Sequence, residues 1–171
     1  TQANTLDDYT SGVVTATIST TSIDELDDLT GTGNAYTITV ATTEVTAAAL
    51  NTVNAATSLN VTATAVLQIT GSSTDLATTY TANNGITGLG NETIIVEDAS
   101  LAAATLTPTI NGYSSTTIDA TDVITLTGTN AEIVAAYAAD TANTVNIDGD
   151  ANLTVSDSIT HTQANTLDDY T

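Results

Sequence analysis

Short runs in which apolar, mostly β-branched residues alternate with polar ones recur along the chain: VVTATIS at 13–19, YTITV at 36–40, NVTATAV at 60–66, TIIV at 93–96, VITLT at 123–127 and TVNI at 144–147. Period-two alternation predicts half-buried strands. Between these runs lie Ala/Leu segments, SIDELDDL at 22–29, TAAALNTV at 46–53, TDLATTY at 74–80, LAAATL at 101–106 and AEIVAAYAA at 131–139, whose apolar residues fall three or four apart. That spacing predicts short helices. Ser22 with Glu25 and Thr129 with Glu132 form capping-box patterns, and Ser72 with Asp75 a weaker one. Acids in the first turn favour the helix dipole, and Gly or Asn closes most modules.

The pattern repeats. Residues 61–80 align without gaps on residues 118–137 at an offset of 57, placing Val66 on Val123, Ile69 on Leu126, Gly71 on Gly128, Leu76 on Ile133 and Tyr80 on Tyr137. Residues 36–53 align on 92–109 in the same way, with Val40 on Val96, Val45 on Leu101 and Leu50 on Leu106. LDDYTSG at 6–12 resembles LDDLTGTG at 26–33, and the ten residues TQANTLDDYT at 1–10 recur unchanged at 162–171. We read 1–161 as one period cut from a tandem array, and 162–171 as a short overlap into the next. Sub-units 34–90, 91–142 and 143–161, the last continuing into 1–33, each hold two modules of strand then helix. No such module buries an apolar face alone, so stacking on neighbours is required. The fold expected is a repeat solenoid of short parallel strands with short helices, a β-solenoid or leucine-rich-repeat-like coil. It carries one or two modules per coil, for an axial advance of about 29 Å or half that per period.

Composition removes most chemistries. There is no Lys, Arg, Cys, Met, Trp or Phe, one His and one Pro, against twenty Asp plus Glu, for a formal charge of -20. With no cation to neutralise phosphate, nucleic acid and anionic membrane surfaces are excluded as partners. The aliphatic content is that of a folding chain, not of a disordered acidic tail. A Thr-rich acidic surface offers nothing to trypsin-like proteases and stays hydrated in salt. Self-repulsion falls as ionic strength rises, so stability is expected to rise with salt. These features point to an extracellular or cell-surface location. No direct membrane insertion is expected; the lack of a signal peptide and of a run of about eighteen apolar residues does not bear on this, since a window from the middle of an array would show neither.

GITGLGNETIIVEDASLAAATL at 85–106, LTGTNAEIVAAY at 126–137 and TAAALNTV at 46–53 resemble the Thr/Ala-rich tandem repeats of giant cell-surface or extracellular filament and adhesin proteins of marine bacteria, cyanobacteria among them. The resemblance implies a secreted or surface-anchored repeat protein and brings no catalytic residue with it.

The candidate metal site is DGDANLTVSD at 148–157. There Asp148, Asp150 and Asn152 stand at spacing 1, 3, 5, with Asp157 beyond, a set of oxygens suited to Ca²⁺. Leu153 and Ile159 replace the Gly and the bidentate Glu of an EF-hand loop, so the competing reading is a solvated turn. The pairs Asp7–Asp8, Asp27–Asp28 and Glu97–Asp98 read as solvated faces that screen cations diffusely. Thr-x-Thr pairs, such as Thr37/Thr39 and Thr125/Thr127, read as the outward face of strands in preference to an ice-binding array. Asn60, Asn91 and Asn152 open Asn-x-Thr sequons. His161 is the lone His and has no triad logic around it, so an enzyme is not expected. The six Tyr read as packing residues at module seams.

The function these readings support is a structural building block of an extended extracellular fibre, with neighbouring copies of the same repeat as partners and no required cofactor. The alternative is a calcium-stiffened spacer of a large adhesin, with Ca²⁺ or another divalent cation as its partner.

Overall fold

A computed structural model describes residues 1–81 and 84–171. Among them, strands of two to five residues alternate with helices of four to twelve, and the strands fall into three sheets in which every pairing is parallel. The protein is therefore an α/β protein. The chain divides into two compact units, Thr1–Thr70 with Thr74–Gly90, and Gly71–Ser73 with Asn91–Thr171.

The first unit runs α1 (Gln2–Asp7), β1 (Thr15–Thr17), α2 (Ile23–Leu26), β2 (Ala35–Thr39), β3 (Glu44–Thr46), α3 (Ala47–Ala55), β4 (Val61–Thr62), β5 (Gln68–Gly71), α4 (Ser73–Thr79) and β6 (Ile86–Thr87). One sheet has the order β1-β2-β4-β6, and β3 pairs with β5. Thr15 lies opposite Ala35, Ile38 opposite Val61, Val61 opposite Ile86, and Glu44 opposite Gln68. Each strand thus bonds to the strand one module further along. Inward positions of β2 and β3 (Tyr36, Ile38, Val45) are buried while Thr37 and Thr39 face out, as alternation predicts. Leu26, Leu50 and Leu76, one from each successive helix, are wholly buried and contribute on the order of 1.5–3 kcal/mol apiece. Close stacking requires glycine at one turn: Gly88 sits at φ +93°, and a Cβ there would lie 2.5 Å from Thr64 Cγ2 and 2.9 Å from its backbone N.

The second unit runs β7 (Thr93–Val96), β8 (Ser100–Ala102), α5 (Ala103–Leu106), a 3-10 turn (Ile110–Gly112), β9 (Ile118–Ala120), β10 (Thr125–Gly128), α6 (Asn130–Thr141), β11 (Val145–Ile147), β12 (Asn152–Val155) and α7 (His161–Asp168). Here β12, β10 and β8 form one sheet in that order, while β11, β9 and β7 are neighbours in that order in another. Ser100 lies opposite Thr125, Thr125 opposite Asn152, Ile95 opposite Asp119, and Ile118 opposite Val145, each again one module on. Ile94, Val96, Leu106, Ile118, Val123, Leu126 and Ile133 fill the core at zero exposure.

All six predicted runs contain a strand, and all five predicted segments contain a helix. Two details differ from expectation. Most helices are preceded by two strands, because segments such as EVT at 44–46 and SLA at 100–102 pair through the backbone while burying one side chain each. Ser22 makes no side-chain cap; the first amide of α2, Ile23 N–H, instead donates to Thr42 Oγ1 at 2.9 Å, one module on. The box at Thr129 and Glu132 is formed in full.

Candidate functional site

The residues predicted to hold a cation divide between two kinds of work. Asp148 and Asp150 share the turn between β11 and β12, where Asp150 N–H donates to Asp148 Oδ1 at 3.2 Å and Ala151 N–H to Asp148 O. Asn152 opens β12 and spends its amide on Ile124 O at 3.1 Å. Asp157 turns to a different helix, accepting Asn130 N–H at 2.8 Å at the start of α6. Hence Asp148 and Asp150 come together, Asn152 lies beside them in sequence with its amide committed to the neighbouring strand, and Asp157 serves as a cap. Among the described residues no group of three or more Asp, Glu or His is placed to hold a metal ion.

One member of two of the acidic pairs is likewise engaged in folding, while Asp8, Asp28 and Glu97 are exposed. Asp7 Oδ1 accepts from Asn34 Nδ2 at 2.8 Å, and Asp98 accepts from Ser73, from N–H at 2.5 Å and Oγ–H at 3.2 Å. Thr42, Asp98 and Asp157 thus perform one task. Each lies just past a strand and closes the first amide of a helix that began 19 to 27 residues earlier. Sequence reasoning missed this role, although the alignment of 36–53 on 92–109 already sets Thr42 on Asp98. His161 opens α7, its Nε2 3.3 Å from Thr162 Oγ1. Tyr36 and Tyr137 are buried; burial, then the charge of Asp7, raises the Tyr36 hydroxyl pKa, and burial followed by Asp140 and Asp148 does so for Tyr137.

What remains open to a partner is strand edge. In the first unit β1 and β6 end one sheet and β3 ends another, and beside β1 lies a groove of about 470 Å³ lined by Leu6, Ala16, Ile18, Leu26 and Leu29. In the second unit β8, β11 and β12 are edge strands, and a groove of about 390 Å³ lies between β12 and α7, lined by Leu153, Val155, Ile159, Ala164 and Leu167. Edge strands present free N–H and C=O groups that template a further strand. Both rims are acidic, with Glu25 and Asp28 on one and Asp150 and Asp168 on the other. With no Lys or Arg in the chain, salt must screen any approach of one rim to another.

Compared with known families, curated proteins and solved structures, the chain matches no family model, no curated protein and no solved structure. Among the described residues no helix is long and apolar enough to cross a membrane.

Proposed function

We propose that the chain is one period of a solenoid and a structural building block of an extended extracellular fibre or cell-surface filament. One observation carries the reading: within each unit, paired strands bond in parallel to the strand one module along, and the sheets end on β1, β3 and β6 in one unit and on β8, β11 and β12 in the other. The step from Thr15 to Ala35, or from Thr125 to Asn152, matches the length of a predicted module, so it favours one module per coil. Six coils at about 4.8 Å give an axial advance of about 29 Å per period. An extracellular setting is supported by composition, since a surface with neither Lys nor Arg and a charge of -20 keeps a rod hydrated and soluble in salt.

The test is electron cryo-microscopy of multi-period material in salt, with and without a chelator. Straight filaments with an axial repeat of about 29 Å, unchanged by chelation, are the expected result. Filaments that soften or vanish without Ca²⁺ would move the function to a calcium-stiffened adhesin spacer, and discrete globular particles would overturn the fibre.

A further inference from the structure

The ten residues at 1–10 and their exact copy at 162–171 stand in different surroundings. In the second copy Leu167 is buried at 5% exposure, and the Tyr170 ring stacks on Tyr137 with centroids 4.4 Å apart and planes 6° apart. The corresponding residues of the first copy are bare, Leu6 at 52% and Tyr9 at 82%. The first copy uses other side chains. Asn4 Nδ2 donates to Asp28 O at 2.8 Å while its Oδ1 accepts Thr30 N–H at 3.2 Å, Asp7 accepts from Asn34, and Ala3 O accepts from the Tyr36 hydroxyl at 3.5 Å. The counterparts of Ala3, Asn4 and Asp7, namely Ala164, Asn165 and Asp168, are exposed. Leu and Tyr are covered in one copy; Ala, Asn and Asp are partly covered in the other. No residue of the ten is asked to serve both sets of contacts.

We infer that this decapeptide is a two-faced seam. A single helix lies between successive periods, its Leu/Tyr face seated on the α6 coil of the period before and its Ala/Asn/Asp face on the α2–β2 coil of the period after. The occupant of each open end is therefore a second copy of this repeat. Both end grooves border this helix, that of the first unit touching Ala3 and Leu6 and that of the second touching Ala164 and Asp168. At such a junction Thr160 and Gln163, which close a capping box on α7, start the shared helix. The inference rests on the reading of the chain as a stacking repeat, and it specifies the contact by which periods stack.

The test uses the 171-residue chain and a two-period chain, residues 1–161 followed by the full 171, compared by urea unfolding at fixed high salt. In the 171-residue chain Asn4→Ala lowers the folding constant about tenfold, while Asn165→Ala, at an exposed position, leaves it unchanged. In the two-period chain Asn165→Ala, now at the junction, is expected to lower it by the same factor as Asn4→Ala. Leu6→Asp serves as the control for the opposite face. It should be neutral at the exposed first copy and damaging as Leu167→Asp at the junction. Asn165→Ala remaining neutral in the two-period chain overturns the seam. Imaging of multi-period chains separates this from the fibre reading: filaments with a neutral Asn165→Ala retain the fibre and discard the seam, and a context-dependent Asn165→Ala without filaments does the reverse.

Discussion

Residues 36–80 and 92–137 carry the same apolar text, yet the first half folds as helices of nine and seven residues (α3, α4) and the second as helices of four and twelve (α5, α6). The buried register is indifferent to this. Val40 and Val96, Leu50 and Leu106, Ile69 and Leu126, and Leu76 and Ile133 are all at zero exposure. What changes is local. Pro108 stands where α3 has Thr52; lacking an N–H and clashing with the preceding turn, it stops α5, and the 3-10 turn then brings Ile110 into the core. In the other pair, α4 carries Thr78 and Thr79, whose hydroxyls bond back to Thr74 O and Asp75 O, where α6 carries Ala135 and Ala136, better helix formers, and continues into Ala138 and Ala139. Stacking decides that a helix exists at each station, and local sequence decides how long it is.

Three measurements break or sharpen that comparison. Leu50→Ala and Leu106→Ala each leave a cavity in a filled layer, and each should cost about 2–5 kcal/mol in urea unfolding. A tolerated change at one site with a damaging one at the other would show that the two stations are not equivalent. Thr52→Pro transplants the helix stop into α3 and should cost about 3 kcal/mol, with loss of helical circular dichroism. An unchanged signal would mean that something other than Pro108 shortens α5. Thr129→Ala opens a formed capping box and should cost about 1 kcal/mol, while Ser22→Ala, whose side chain caps nothing, should lie within about 0.5 kcal/mol of the parent. Equal losses at the two would contradict the difference in their caps.

The strongest signals in the sequence were those that a repeat writes more than once. The burial register, the strand and helix stations and the complete box at Thr129 were all legible, because each depends on side-chain type at fixed spacing. One strand of each pair was not legible, the second (β3, β5, β8 and β12) before α3, α4, α5 and α7 and the first (β9) before α6. A strand such as β3 or β8 has three residues with one buried, too few to express a period, and is held by backbone bonds that any residue supplies. The Ca²⁺ reading of Asp148, Asp150, Asn152 and Asp157 rested on spacing along the chain. The role Asp157 has in the fold, closing an orphan amide at the start of α6, depends on a partner near in space and distant in sequence, which such spacing does not show.

Those caps carry a consequence for biosynthesis. A helix whose opening amide is closed by Thr42, Asp98 or Asp157 receives its cap only from chain that emerges 19 to 27 residues later. The opening amides of α2, α4 and α6 therefore leave the ribosome without these partners and gain them only when the later loop has been synthesised. A pause within one of these gaps leaves that amide waiting for its partner, whereas the box of Thr129 and Glu132, local to α6, needs no later chain.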